Sequence, residues 1–361
     1  MECIVVGGGI VGMLTARELA QADCRVRLIE RGVLGGESSW AGGGILSPLY
    51  PWRAPEAVSR LARWGQRRYP ELAAELGAAT GIDPEWVQSG LLVLDDPGAE
   101  QALRWAARQR ITLDHIVDTQ HIAALEPACR IAGRALWLPE VAQIRNPRLI
   151  RALRADLDRR GVALQEHAVV TGIECSAGRV SGVRTADELF SAEIVVVAAG
   201  AWSARVLEAV DIRIDVAPVR GQMLLYRGVP GAVRRILLDA GHYAIPRRDG
   251  RVLVGSTVEE VGFDKETTPA ARDELRQAAE ALVPVLARCE IERHWSGLRP
   301  GSAHEIPYIC PVPGIEGLFL NAGHFRNGLL LAPASARLLA DLILGRRGEF
   351  DPHPYALAGD R

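Results

Sequence analysis

At 361 residues, with 42 basic and 44 acidic side chains and a formal charge of −2, the chain is long enough for two domains with a substantial core. That balance offers nothing to draw in nucleic acid or an anionic membrane, so neither is expected as a partner. Its 48% hydrophobic content is ordinary for a globular protein, and function has to be read from individual sites.

The first predicted element is a strand from Cys3 to Val6, followed by Gly7-Gly8-Gly9-Ile10-Val11-Gly12 and a helical pattern through Ala16, Leu19 and Ala20. In this G-x-G-x-x-G spacing Gly7 makes the turn, Gly9 admits a pyrophosphate to the backbone, and Gly12 lets the helix pack on the strand. The phosphates would sit at the helix start, where free N–H groups and the dipole favour negative charge. A second strand, Cys24 to Ile29, ends at Glu30, close to the ~20 residues at which an acid meets ribose hydroxyls. Next comes a Gly- and Ser-rich stretch, Gly35 to Pro48, which reads either as a flexible loop or as bare backbone laid against a flat cofactor. In the second case Ser38 and Ser39 would add hydroxyls for the phosphates.

Residues 55–79 carry helical spacing and Gly81 stops it, with Arg60, Arg63, Arg67 and Arg68 on a solvated face. A strand from Gly90 to Asp95, a helix from Ala99 to Arg110 and an extended run from Ala135 to Ile144 lack any nucleotide pattern, and so open a second domain. Asn146-Pro147 starts another helix, capped at Gly161. Strands follow at Ala163 to Gln165, Val169 to Cys175, Val180 to Val183 and Glu193 to Val197. The last is a β-branched run suited to a parallel strand buried on both faces. It leads into the small-residue turn Ala198 to Ser203, which returns the chain to the first domain.

Runs at Val216 to Tyr226, Tyr243 to Pro246 and Arg251 to Ser256, with an Arg248-Asp249-Gly250 turn, suit an antiparallel sheet. A helix from Pro269 to Val283 and an extended Ile291 to Leu298 complete that part. The final segment reads as a strand, the loop Gly323-His324-Phe325-Arg326-Asn327-Gly328, and an apolar helix from residue 329 to Leu344. A helix start preceded by Arg326 is a suitable counter-dipole for the charge of a reduced flavin. The fold class is therefore α/β in an α+β two-domain arrangement. A Rossmann-like domain for a dinucleotide, NAD or FAD, takes residues 1–80, 145–212 and 300–361, and a mostly antiparallel-sheet substrate domain takes 81–144 and 213–299; the resemblance given below makes the first an FAD-binding domain.

No second G-x-G-x-x-G follows a strand, so no separate nicotinamide domain is indicated, and no H-E-x-x-H, P-loop, G-x-S-x-G or Cys–His pattern supports hydrolysis or phosphoryl transfer. Cys3, Cys24, Cys129, Cys175, Cys289 and Cys310 lack C-x-x-C or zinc spacing and read as reduced apolar residues, with no metal site. The first strand begins at residue 3, leaving no room for a secretory signal, and no apolar run reaches the ~18 residues that cross a bilayer, so a cytoplasmic protein is expected. Candidates for substrate contact are Tyr243, Arg326 and Arg299. Arg299 stands at a strand end, where it is either a surface ion pair or a planar fork for a carboxylate.

The N-terminal Val5 to Gly12, Pro218-Val219-Arg220-Gly221-Gln222, His242 to Arg247, Trp295-Ser296-Gly297-Leu298-Arg299-Pro300-Gly301 and Gly323 to Gly328 together resemble the D-amino-acid oxidase superfamily of FAD-dependent oxidoreductases. Within it the likeness is to the thiamine-biosynthetic glycine oxidase branch. The motifs stand in family order over nearly the full length, and G-H-F-R-N-G-x-L-L-A-P is the most specific.

The resemblance implies non-covalent FAD and oxidative deamination of glycine, sarcosine and small D-amino acids, by hydride transfer from the α-carbon to flavin N5, with oxygen reduced to hydrogen peroxide. It implies that Arg299 binds the substrate carboxylate, that Tyr243 hydrogen-bonds it, and that Arg326 lies over the same pocket near the flavin. The cofactor residues it implies are Gly7, Gly9, Ile10, Val11, Gly12, Glu30, Arg31, Ser38, Ser39, Gly43, Gly44, Ile45, Leu46, Val170, Ala199, Gly200, Trp202, Asn327, Gly328, Leu329 and Leu330, besides Arg299 and Arg326. The backbone from Gly44 to Ser47 would border N5, with Ser47 standing where the branch is expected to have glycine. Cys310 lies outside the context of a covalent flavin attachment and reads as structural. His242 and His324 read as hydrogen-bonded structural residues. A homo-oligomer is expected. Two other readings stay open: a dehydrogenase of the same fold passing electrons to a quinone, for which the arginines of 55–79 are the only hint of a membrane face, and a non-catalytic FAD subunit of a larger complex.

Overall fold

The computed structural model describes residues 1–130 and 132–357, so residue 131 and residues 358–361 of the expected domain spans lie outside the described residues. In chain order β1 (Glu2–Val6), α1 (Ile10–Gln21) and β2 (Arg25–Ile29) precede the short helix α2 (Ser38–Ala41) and the long helix α3 (Glu56–Thr80). Then come β3 (Leu91–Leu94), α4 (Ala99–Gln109), β4 (Asp114–Ile116), α5 (Thr119–Leu125) and β5 (Ala135–Leu138). The middle of the chain forms α6 (Asn146–Arg159), β6 (Ala163–Gln165), β7 (Val170–Ser176), β8 (Arg179–Thr185), β9 (Leu189–Ser191), β10 (Ile194–Val197) and α7 (Ser203–Leu207). The last part holds β11 (Val216–Tyr226), β12 (Ile236–Asp239), β13 (His242–Pro246), β14 (Val252–Gly255), α8 (Pro269–Leu282), β15 (Ile291–Ser302), β16 (Tyr308–Pro311), β17 (Leu318–Ala322) and α9 (Gly328–Ile343).

Six strands form the first sheet in the order β16-β17-β10-β1-β2-β6, parallel except for the antiparallel edge strand β16. The apolar runs of β1 and β10 lie side by side at its centre, buried on both faces as their β-branched sequences require. One face is covered by α1, α3, α6 and α9, whose apolar stripes form a continuous core with Val5, Leu28 and Val196. The other face packs on the small sheet β7-β8-β9. The second large sheet runs β15-β11-β14-β13-β12-β3-β5-β4 and draws its strands from residues 91–138 and 216–302.

Three details differ from the sequence reading. The extended run expected from Ala135 to Ile144 is a strand only to Leu138; Gln143 beyond it bridges Ile45 and Val87. β15 continues through Ser302, so the domain boundary expected between 299 and 300 falls inside a strand. Strands β4, β9, β12 and β16 are additional to that reading, because three or four residues are too few to show a repeating pattern.

The arginines of α3 do not make a uniform basic face. Arg68 pairs with Glu71 and Glu75, Arg60 stands 3.5 Å from Glu56, and Arg63 and Arg67 line a cleft shared with Trp86 and Trp105. Among the described residues no helix is long and apolar enough to cross a membrane.

Candidate active site

A cavity of about 930 Å³ opens at the C-terminal ends of β1, β2 and β10 and extends to the face of the second sheet. Its first wall is the turn after β1. Gly7 has φ +112°, and a Cβ there would lie 2.3 Å from Ala198 O. A Cβ on Gly12 would lie 1.9 Å from Gly7 O, which is the close helix-on-strand contact that the third glycine of the fingerprint provides. Ser39 at the start of α2 accepts a hydrogen bond from the Ile10 N–H at 2.9 Å, which ties the serine-rich segment to the first turn of α1. Glu30 accepts from Gly8 N at 2.7 Å through Oε2 and from Gly32 N at 2.8 Å through Oε1. Each carboxylate oxygen keeps a second lone pair for a hydroxyl.

Beyond Glu30 the cavity is lined by Arg31, Val170, Ala199, Gly200 and Trp202, with the Arg31 guanidinium 4.3 Å from the centre of the Trp202 ring. At its other end the glycine loop after α2 contributes Gly43, Gly44 and Ile45, and the start of α9 contributes Gly328, Leu329 and Leu330. That helix start is held unusually: Pro333 has no N–H to give the Leu329 carbonyl, and the Tyr69 hydroxyl of α3 donates to Leu329 O instead. A Cβ on Gly65 would fall 2.2 Å from Leu330 O, so α3 also packs tightly on this turn.

The side of the cavity facing the second sheet carries Tyr243 from β13, Arg299 from β15 and, before α9, Arg326, which is exposed. Tyr243 is 7% exposed, and its hydroxyl donates only to the thioether of Met223 at 3.4 Å, a weak acceptor that a carboxylate would displace. Burial lowers the pKa of Arg299, with nearby Tyr243 opposing the shift and Arg326 adding to it. A guanidinium that is desolvated and faces another cation, with no carboxylate partner among the described residues, is suited to receive an anionic ligand.

Ser47, Pro48, Leu49 and Tyr50 close the cavity beside these residues. Tyr50 accepts from Gly241 N at 2.9 Å and carries Arg53 over its ring at 4.3 Å. His324 also lines the cavity; burial pushes its pKa down to about 3, and it is hydrogen-bonded to Ser335 at 3.0 Å, which keeps a neutral, structural imidazole. His242 lies outside the cavity lining, 3.2 Å from Glu274.

Two of the expected cofactor residues do not line the cavity. Leu46 is 1% exposed in the core of the first domain, because its backbone turns there to pair with Ala142 O and Gln66. Gly12 is sealed behind Gly7, where it packs rather than lines. All the other expected residues line it, namely Gly7, Gly9, Ile10, Val11, Glu30, Arg31, Ser38, Ser39, Gly43, Gly44, Ile45, Val170, Ala199, Gly200, Trp202, Arg299, Arg326, Asn327, Gly328, Leu329 and Leu330.

Reading the sequence missed Asn146, Met223, Ser256 and Asn321. None belongs to one of the motif strings, although Met223 and Asn321 stand beside them and Asn146 opens a helix. No cysteine lines the cavity, and none of the six is in a disulfide. Cys310 lies 4% exposed in β16.

The residues present fit a dinucleotide. The glycine cradle leaves no room for side chains, the volume matches a large cofactor, and the buried Asn146 Oδ1 and Asn321 Oδ1 on the cavity wall have no partner among the described residues. Residues 2–342 match the FAD dependent oxidoreductase family, and the chain belongs to it. It is 49% identical over 357 residues to the glycine oxidase of Pseudomonas aeruginosa, covering 99% of this chain and 98% of that one. It is 32% identical to the bifunctional protein ThiO/ThiG of Trichormus variabilis, covering 96% of this chain and 53% of that longer one. The crystal structure of glycine oxidase from Geobacillus kaustophilus superposes with a TM-score of 0.94 at 30% identity, covering 99% of this chain and 98% of that one.

Proposed function

We propose that this protein oxidises glycine, and with it sarcosine and small D-amino acids, to the oxo acid with release of ammonia or amine, while oxygen is reduced to hydrogen peroxide. The observation that carries the reading is the meeting, in one cavity, of a nucleotide-binding glycine turn with a half-buried guanidinium and a buried phenol, each lacking an anionic partner among the described residues. FAD held in this cavity would supply the two-electron acceptor for the hydride of the substrate α-carbon, with oxygen as the final oxidant. Glu30, Gly9, Ser39, Trp202 and the α9 start would hold it without a covalent bond, in keeping with a cavity lined by no cysteine.

The chain's own part is binding and orientation. Arg299 takes the carboxylate through parallel N–H bonds and Tyr243 adds a third hydrogen bond, which holds the α-carbon in one place. Among the described residues no carboxylate is hydrogen-bonded to Tyr243 or Arg299, and on this reading the amine loses its proton to solvent. Water then adds to the imine and releases the oxo acid. The close walls formed by Ser47, Tyr50 and Met223 suit a short side chain over a bulky one.

On this reading residues 1–80, 145–212 and those from the end of β15 to 357 serve the cofactor, and the second sheet serves the substrate. The protein works as a cytoplasmic homo-oligomer in thiamine thiazole biosynthesis, in keeping with a relative named ThiO/ThiG. Anaerobic mixing with glycine, sarcosine, D-alanine and D-proline tests it: glycine should bleach the visible flavin band, and admitted air should restore the band with stoichiometric peroxide. Bleaching that oxygen fails to reverse would make the protein a dehydrogenase, and no bleaching by any of the four would refute the substrate class.

A further inference from the structure

The Arg299 guanidinium is held in one orientation by the chain around it. It lies flat on Gly221 of the neighbouring strand β11, where a Cβ would fall 2.1–2.3 Å from its Nη2, Nη1 and Cζ atoms. Nη1 donates to Arg220 O at 3.2 Å and to Thr257 O at 3.1 Å, and Nη2 donates to Ser256 Oγ at 2.7 Å. A guanidinium has five N–H bonds, two on each Nη and one on Nε. Both of the Nη1 bonds are therefore used. Ser256 and Thr257 are consecutive residues and take one N–H from each Nη, as acceptors at the end of the fork do. What is left is one N–H on Nη2 and the N–H on Nε, which are parallel and lie along the same edge.

We infer that Ser256 is a positioning residue that fixes which edge of Arg299 faces the substrate, so that the carboxylate is taken side-on by Nε and Nη2. The inference rests on the amino-acid oxidase reading of this cavity. Ser256 is 5% exposed and lines the cavity, and its hydroxyl accepts the shortest of these three hydrogen bonds from Arg299. The other two acceptors are backbone carbonyls, which no substitution removes. Without Ser256 the Nη2 end can swing toward the cavity, and the guanidinium then offers its end and its edge to the ligand in turn. The cost falls on carboxylate binding, because a fork that must be ordered by the ligand binds less tightly than one ordered beforehand.

The test uses the FAD-loaded enzyme and glycolate, which has the carboxylate of glycine but no amine, and reads the shift of the visible flavin spectrum on titration. Ser256→Ala should weaken glycolate about tenfold, as expected for a lost hydrogen bond to a charged group. The KM for glycine should rise in step and exceed the fall in kcat, with flavin content unchanged. Ser256→Thr, which keeps the hydroxyl, should restore both constants. A Ser256→Ala enzyme that binds glycolate as tightly as the parent, or a threonine variant no better than alanine, overturns the inference. So does a glycolate complex whose crystal structure shows the carboxylate on Nη1 and Nη2. Failure of the underlying reading would look different: the parent enzyme itself would show no bleaching by glycine.

Discussion

Arg299 shows how much a residue's meaning depends on what surrounds it. An arginine at a strand end is usually an exposed ion pair that contributes little, and many arginines of this chain are of that kind, such as Arg25 with Glu2 and Arg104 with Glu100. Among the described residues Arg299 instead has no carboxylate in an ion pair with it, is desolvated, and faces Arg326 and Tyr243. Replacing it with alanine should leave a yellow, FAD-loaded protein, since the nucleotide cradle lies elsewhere. The loss of two charge-assisted hydrogen bonds should reduce kcat/KM for glycine at least about 100-fold. Steady-state kinetics beside the flavin absorbance of the purified variant checks both halves, and a variant retaining parental kcat/KM would remove Arg299 from the carboxylate site. The candidate site was legible in sequence where a motif carried it: the glycine turn, Arg299 and Arg326 each sit in a recognisable string. Ser256 follows the end of β14 and Met223 lies within β11, each outside such a string. They reach the cavity only because β11, β14 and β15 are neighbours, an arrangement set by pairing between strands far apart in the chain.

At the scale of elements, long periodic segments were read well because their burial pattern repeats within the segment. Helix α3 is the clearest case, with Val58, Leu61, Ala62, Tyr69, Leu72 and Leu76 buried in register and Gly81 ending it in the left-handed conformation. Its sequence could not reveal that Tyr69 completes a different helix. Pro333 lies six residues into α9, where it leaves the Leu329 carbonyl without its usual donor, and the fully buried Tyr69 hydroxyl supplies one. Tyr69→Phe should therefore cost about 1–3 kcal/mol, the penalty for a buried acceptor left unsatisfied. Pro333→Ala in that background should recover part of it, because residue 333 then regains the N–H that reaches Leu329 O. Urea unfolding of the two single variants and the double variant gives the coupling directly. Strictly additive effects would mean that the proline and the tyrosine do not serve the same carbonyl.

Across the whole molecule the two large sheets meet around the cavity, and what joins them there bears on cofactor affinity. Arg247 follows β13 of the second sheet, yet its guanidinium reaches the loop that borders the cofactor cavity: Nη2 donates to Gly43 O at 2.7 Å, and Nη1 donates to Gln143 Oε1 at 2.7 Å and Ile144 O at 3.2 Å. Burial, reinforced by nearby Arg145, lowers its pKa to about 10, so it stays charged at neutral pH while making three hydrogen bonds to neutral oxygens. A desolvated cation placed so contributes little net stability. Its effect is instead to fix the path of Gly43 and Gly44 relative to the second sheet. Arg247→Met keeps much of the apolar stem but frees that loop, so free FAD should bind about tenfold more weakly, the ordering of the loop now being paid at binding. Lysine should not restore it, since one ammonium cannot span the same three acceptors as a planar fork. Fluorescence titration of the apoprotein with FAD measures the affinity. The ligand-induced rise in melting temperature supplies a second readout, because any ligand specific to the folded state stabilises it according to its affinity. If Arg247→Met bound FAD as tightly as the parent, the Gly43 loop would be held by the first sheet alone, and the second sheet would serve only the substrate.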